Sequence, residues 1–533
     1  MDLTETKILK PSNEKVFSYR KGSEEREKLN ETLKKFLEAK EPRICYPIIN
    51  GKKIETNDMG ESRRPGDWSK VVAKYCLCSQ RDIKNAIESA LEAKKNWASL
   101  SPFHRAQIFW RAAEILRKRR FEIVAAAMLE VDKIAFEADA DLCELIDFLE
   151  FNPYWAVTKV HPEQPECVVG ETNTCVWRPL RGYVAAISPW NFPIAIGGNL
   201  PTSPAIMGNV VVWKPSSDAV LTAYLIMESL LEAGLPDGVI NLVFGKGGVV
   251  GKALLEDPRL GGIHFTGSLE IGKGLAQIAG TNTSKGFPRI VAECGGKDFI
   301  FAHGSADLDA LAWGIVSAGY SYQGQKCSAA SRIYIPKKIW PELRKRLVER
   351  LSNLKVGDVT DPDVGMGAVI NGSAWESIKG YIELAKNDPD CEIVFGGKSW
   401  DKPGWFVEPI LILTRNSRHR LMVEEIFGPV VMVFVFDEKD YDWVISEVVE
   451  STDYALTGSI YSEDMNFTHK ALPILVQGAG NLYVNDKCTG AMVGRQWFGG
   501  DGASGTNNKA GSFLNLLVWT SPSVVKWATY PKK

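Results

Sequence analysis

Beyond residue 180 the chain alternates short apolar runs with helical stretches, and this rhythm restricts the fold more than any other feature. The runs are Tyr183–Ile187, Asn209–Trp213, Val239–Val243, Gly262–Phe265 and Arg289–Val291, with helical patterns near 218–233, 248–256 and 269–279. Strands separated by helices of this length pair in parallel, because a parallel connection must cross back over the sheet. A second cycle follows, with runs at Phe299–Phe301, Arg332–Ile335, Leu411–Leu413, Val430–Val435, Leu456–Ile460 and Asn481–Val484 and helices near 307–322 and 338–353. The rhythm predicts an α/β fold of two doubly wound units facing each other across a cleft. Upstream, 3–4 spacing of apolar residues predicts helices near 24–39, from Gln80, over 102–130 and from Glu137 to Phe151. The last has the stripe Leu142, Leu145, Ile146 and Leu149, and Glu144 lies off it. The Gly-rich stretch 494–512 reads as a long loop beside a site.

A length of 533 residues, 45% apolar and 24% charged, accommodates two such units and excludes disordered and fibrous classes. Lys+Arg 63 against Asp+Glu 65 leaves a net charge of −2, which argues against nucleic acid and acidic membranes as partners. No apolar run reaches the length of a membrane span. The start, with Asp2 and Glu5, resembles neither a secretory signal nor a transit peptide. A cytoplasmic location is therefore expected, with the mitochondrial matrix as the alternative if a presequence has been removed. Ten scattered cysteines suit a reducing compartment. Cys76 and Cys78 form the only close pair, which is poor zinc spacing, so no metal is expected.

Several motifs carry chemistry. Gly267-Ser-Leu-Glu-Ile-Gly272-Lys273 fits a phosphate-binding P-loop, but residue 274 is Gly and the magnesium-binding hydroxyl is missing. What survives is a strand end, Gly267 and Ser268, running into a helix N-terminus, an arrangement suited to a pyrophosphate. Gly245 follows the preceding strand at the equivalent point, and either loop alone also reads as an ordinary turn. Lys214 ends a strand, where α/β proteins bind ligands; a solvated lysine is the alternative. Cys327 is followed by small residues and preceded by Lys326, a cation that favours thiolate. Glu293, at a strand end before a glycine turn, is placed to act as a general base. Its neighbour Cys294 reads as packing.

These segments together resemble the aldehyde dehydrogenase family over about residues 45–525. The matching motifs, in the family's order, are Ile187-Ser-Pro-Trp-Asn-Phe-Pro193, Trp213-Lys-Pro-Ser216, Phe265-Thr-Gly-Ser268, Glu293-Cys-Gly-Gly-Lys297, Gln323-Gly-Gln-Lys-Cys327, Glu424-Glu-Ile-Phe-Gly-Pro429 and Phe498-Gly-Gly500. The resemblance implies an N-terminal extension (1–44), an NAD-binding domain (45–156 and 181–292), a catalytic domain (293–500) and a small β-flap for oligomerisation (157–180 and 510–525). It implies Cys327 as nucleophile, Asn191 and the Cys327 N–H as oxyanion donors, and Glu293 as the base for water. NAD would be held by Lys214, Ser216, Gly245, Gly267, Ser268, Glu425 and Phe427. Ser217 replaces the Glu with which NAD-preferring relatives reject a 2′-phosphate, so some NADP use stays open. The partners implied are a small-molecule substrate and further copies of the chain, at least a dimer.

Within the family, Lys326, the loop Lys487–Gln496 and Cys143-Glu-Leu-Ile-Asp-Phe148 resemble the members that oxidise L-glutamate γ-semialdehyde, the open form of Δ1-pyrroline-5-carboxylate, to L-glutamate in proline degradation. That substrate carries a carboxylate and an ammonium at the end remote from the aldehyde. Gly490, Ala491 and Ser328 would receive the carboxylate, Glu144 the ammonium, and Phe192 and Phe498 the methylene chain. On composition alone Glu144 reads as a solvated carboxylate. Ala491, where some members have Ser, and Trp497, where Pro is usual, depart from the pattern. Another semialdehyde dehydrogenase, for example for succinic semialdehyde, and a non-catalytic relative remain as alternatives.

Overall fold

The computed structural model describes residues 8–283 and 286–528. The polar start with Asp2 and Glu5 lies outside the described residues.

Two seven-stranded sheets form the frame. In the first, the parallel strands run in the order Arg289–Glu293, Leu260–Thr266, Tyr183–Ile187, Val211–Lys214, Ile240–Leu242. A hairpin, Ile48–Ile49 with Lys52–Lys53, adds to the far edge antiparallel to Ile240–Leu242. From Tyr183–Ile187 the chain winds outward in one direction, then returns to place Leu260–Thr266 on the other side. The order therefore reverses between Tyr183–Ile187 and Leu260–Thr266, and the loops leaving these strands carry Asn191 and Ser268. Such a reversal opens a crevice at the carboxyl ends of the strands. The second sheet runs Cys391–Phe395, Ile410–Thr414, Val430–Phe436, Ala330–Pro336, Asp298–Ala302, Thr457–Tyr461, Asn481–Val484, parallel except at Cys391–Phe395. Only Cys294–Lys297 separates the last strand of the first sheet from the first strand of the second.

The expected helix over 102–130 is two helices, Pro102–Lys118 and Arg120–Val131, broken at Arg119. Ala195–Ile206 is a helix despite Pro201 and Pro204. It is buried on nearly every side and shows no stripe by which periodicity could have found it. Helix Ala135–Trp155 packs on Pro102–Lys118, Arg120–Val131 and Ala195–Ile206.

Outside the sheets, Glu171–Pro179 pairs antiparallel with Thr520–Ala528 over nine residues. The C-terminal strand expected near 510–525 therefore begins later. A helix, Phe513–Val518, occupies the first half of that segment, started by the Ser512 hydroxyl accepting the Leu514 N–H. Val176, Val524 and Trp527 stand exposed on the two-stranded ribbon. At the other end, residues 8–22 run without regular structure into the helix Glu24–Leu37, which packs on Arg120–Val131.

Candidate active site

Cys327 lies 8% exposed in a loop whose backbone is held in an unusual shape. Tyr322 and Gln323 both take left-handed conformations, with φ of 50° and 57°. Side chains fix this: Tyr322 donates to Val131 O, Gln323 to Asp132 O and Ala368 O, and Gln325 accepts the Ile370 N–H. Strain of this kind persists only where surrounding bonds over-determine it, as at sites that need a preset geometry. Asn191, 4% exposed, donates one amide N–H to Gln325 O at 3.2 Å. Its amide has a second N–H, so the group is anchored by one donor and free to bind an oxyanion with the other.

The glycines of Cys294–Lys297 are required by close approach. A Cβ on Gly296 would lie 2.1 Å from Cys327 O, and one on Gly295 1.9 Å from a Glu425 oxygen. Gly296 N–H also donates to Glu425 Oε1 at 2.9 Å. The link between the sheets thus holds Cys327 and Glu425 against it. Glu293 accepts the Gly500 N–H at 3.3 Å, and the loop beyond it binds back through Cys294 N–H to Ser504 O. Burial pushes the Glu293 carboxyl up to about 8 and the Glu425 carboxyl up to about 7.

One expectation fails. Lys326 does not favour the thiolate of Cys327. Its ammonium turns away, donating to Ser321 Oγ at 2.8 Å with Glu137 nearby. Burial, then the carboxylates of Asp298, Glu425 and Glu293, push the Cys327 thiol well above its usual value.

The expected cofactor residues gather at the carboxyl ends of the first sheet. Ser268 caps helix Leu269–Thr281, its hydroxyl accepting the Ile271 N–H. Gly267 sits between that cap and the strand Leu260–Thr266. Lys214 Nζ donates to Pro215 O at 3.0 Å and faces Asp218. The Ser216 hydroxyl accepts the Asp218 N–H. Gly245 has a packing reason of its own, because a Cβ there would meet Val250 at 2.3 Å. Phe427 has φ of 56° and sets its ring edge-on to Trp190 at 5.5 Å. A helix N-terminus, a lysine and an acceptor carboxylate fit a dinucleotide with a pyrophosphate and ribose hydroxyls.

At the far end, helix Ala135–Trp155 presents Glu137, Asp141 and Glu144 at i, i+4 and i+7, one face of a helix. Glu137, Asp141 and Lys133 were not anticipated; the acidic spacing was the available signal. Lys133 Nζ pairs with Asp141 Oδ2 at 2.7 Å and lies over the Phe192 ring at 4.3 Å. Burial, then the charge of Asp141, push Glu144 up to about 8. Ser328 Oγ shares a 2.7 Å hydrogen bond with Thr489, a residue sequence reasoning also missed. Gly490 takes φ of 90° and Ala491 follows it. Phe498 N–H donates to Ala510 O at 2.9 Å, fixing the loop that carries its ring.

Among the described residues one group brings three metal-capable side chains together: Asp388, Cys391 and His419. His419 Nδ1 accepts the Leu421 N–H, which puts the ring proton on Nε2, facing Asp388 Oδ2 at 3.2 Å and Cys391 Sγ at 3.6 Å. The nitrogen facing the group is a donor, with no lone pair for a metal.

The "Aldehyde dehydrogenase family" profile matches residues 54–521. A Dictyostelium discoideum protein named Delta-1-pyrroline-5-carboxylate dehydrogenase, mitochondrial, is 42% identical over 97% of this chain and 93% of its own. The human protein of that name is 42% identical over 98% and 93%. The crystal structure of the Delta-pyrroline-5-carboxylate dehydrogenase from Mycobacterium tuberculosis bound with NAD superposes with a TM-score of 0.94, at 40% identity, covering 99% of this chain and 97% of that one.

Proposed function

Because this chain belongs to the aldehyde dehydrogenase family, we propose that it carries out the NAD-dependent oxidation of L-glutamate γ-semialdehyde, the open form of Δ1-pyrroline-5-carboxylate, to L-glutamate in proline degradation. The observation that carries the chemistry is the tie from Asn191 to the loop of Cys327, with Glu293 facing the same cleft.

The thiol of Cys327 gives its proton to solvent water and its sulfur adds to the aldehyde carbon. The carbonyl oxygen becomes an alkoxide, held by the free amide N–H of Asn191 and the Cys327 N–H. NAD, when bound, would supply the acceptor for the hydride that leaves this carbon, and a thioester to Cys327 remains. Glu293 then removes a proton from water as the water oxygen attacks the thioester carbon. The carbon–sulfur bond breaks, and the proton of the new carboxyl group passes to the departing sulfur, releasing the carboxylate and restoring the thiol. Lys214, Ser216 and Glu425 would hold ribose hydroxyls, Gly267 and Ser268 the pyrophosphate, and Phe427 the nicotinamide side; Gly245 lines the approach. The substrate's ammonium would pair with Glu144, its carboxylate with the N–H groups of Gly490 and Ala491 and with Ser328, and its methylenes would lie between Phe192 and Phe498.

The exposed apolar face of the ribbon, which the register gives to Val176, Val525 and Trp527, supports assembly of the chain with copies of itself. The word mitochondrial in the names of the Dictyostelium and human relatives supports the matrix rather than the cytoplasm. No described helix is long and apolar enough to cross a membrane.

The test is NADH absorbance with NAD and Δ1-pyrroline-5-carboxylate, succinic semialdehyde or propanal. A strong preference for Δ1-pyrroline-5-carboxylate is expected. Equal turnover of succinic semialdehyde would move the proposal to a broader semialdehyde substrate and remove the role of Glu144.

A further inference from the structure

The N-terminal arm makes contacts that the reaction above does not use. Asn13 spends both donors of its side-chain amide, one on Asp147 Oδ2 at 2.8 Å and one on Val493 O at 2.9 Å. The other oxygen of Asp147 accepts the Glu14 N–H at 2.7 Å. Asp147 stands one helical turn from Glu144, and Val493 three residues beyond Gly490. One amide therefore bridges the helix and the loop assigned to the two charged groups of the substrate.

The arm is fixed on both sides of this bridge. Glu14 pairs with Arg117 at 2.8 Å and Arg120 at 3.2 Å. Arg120 also donates to Lys15 O at 2.6 Å, and its guanidinium lies 3.6 Å from the centre of the Phe17 ring. Phe17 N–H and Tyr19 OH both donate to Asp139, a fully buried carboxylate held by Arg120. The loop touches the same helix through apolar contact: a Cβ on Gly494 would lie 2.7 Å from the Phe151 ring. Such contact is non-directional and permits sliding, whereas a hydrogen bond sets position. The loop's other ties flank Gly490–Val493: Thr489 to Ser328 before it, and Gly494 N–H to Gly511 O and Phe498 N–H to Ala510 O after it.

We propose that residues 13–19 form a specificity strap, in which Asn13 is a positioning residue that sets the spacing between Glu144 and the Gly490–Val493 loop for an α-amino acid. The strap acts on the end of the substrate remote from Cys327. It thus governs binding of aldehydes that carry an ammonium and a carboxylate, and not the chemical step. This inference rests on the substrate reading above.

The test compares wild type, Asn13→Ala and a chain lacking residues 1–11, each with Δ1-pyrroline-5-carboxylate and with propanal. Loss of two bridging hydrogen bonds raises KM for Δ1-pyrroline-5-carboxylate by about five- to fiftyfold in Asn13→Ala, with kcat unchanged. Propanal kinetics stay as in wild type, and the shortened chain behaves as wild type on both substrates. Amide hydrogen exchange over 488–496 gives a readout independent of substrate, and it accelerates in Asn13→Ala. Unchanged exchange, or an equal loss on both aldehydes, overturns the strap. If wild type shows no preference for Δ1-pyrroline-5-carboxylate, the substrate reading fails and the strap's role in specificity fails with it; faster exchange then keeps only Asn13 as a restraint on the loop, and unchanged exchange removes that too.

Discussion

Replacing Glu144 by Gln should damage the enzyme in a way that depends on pH and on which aldehyde is offered. Burial and Asp141 place the Glu144 carboxyl at about 8, so in the free enzyme it is neutral below that pH and ionised above it. An ammonium needs the ionised form. At pH 7, one unit below that value, ionising it costs about 1.4 kcal/mol, roughly a tenfold weakening of substrate binding relative to the high-pH limit. Above pH 8 the full charge-assisted contact is present, and its loss costs about 1.5–3 kcal/mol, roughly ten- to 150-fold in KM. The ratio of KM in Glu144→Gln to KM in wild type should therefore be small at pH 7 and grow about tenfold towards high pH. Ring opening of Δ1-pyrroline-5-carboxylate and ionisation of its nitrogen affect both enzymes equally and cancel in the ratio. The assay is initial-rate NADH formation from pH 6.5 to 9, with propanal as the control. A ratio that stays flat with pH, or an equal loss with propanal, refutes the ammonium contact.

Cys327→Ala should abolish NADH production while NAD binding, followed by quenching of tryptophan fluorescence, persists. Glu293, raised to about 8, must be ionised to take a proton from water, so where thioester hydrolysis limits turnover kcat should rise with pH to a plateau above about 8. Glu293→Gln should still give a burst of about one NADH per site and then stall, as stopped-flow absorbance would record. Gly296→Ala drives a methyl group into Cys327 O, a backbone atom that cannot step aside, and should lower activity at least about a hundredfold through a displaced nucleophile. Deleting Thr520–Ala528 should shift the sedimentation of the protein to a smaller species.

The sheets were legible because their strands are buried on both faces and read as unbroken apolar runs. Tyr183–Ile187 matches residue for residue; Asn481–Val484 also matches, although this edge strand is only half-buried. Helix Ala195–Ile206 was not legible, since its prolines argue against a helix and its all-round burial leaves no polar face to mark the period. Of the site, the motif residues were found where the chain makes a local turn, as at Gly267 and Ser268. The thiolate expectation for Cys327 failed because adjacency in sequence says nothing of side-chain direction, and Lys326 points to Ser321. Asn13 and Lys133 were invisible for a related reason: their partners lie on other elements, and neither residue stands in a pattern of its own.

The ribbon that joins Glu171–Pro179 to Thr520–Ala528 has a consequence during synthesis. The first sheet is complete in the nascent chain once Glu293 has emerged, and it can fold while the second is still being made. Glu171–Pro179, however, waits for roughly 340 further residues before its partner exists. At about 5–20 residues per second, a ribosome leaves that strand with both edges bare for roughly 20–70 s. Bare strand edges recruit other chains, and on a polysome the nearest ones are identical copies at the same stage. This segment is accordingly where a holding chaperone would do most for the yield of the enzyme.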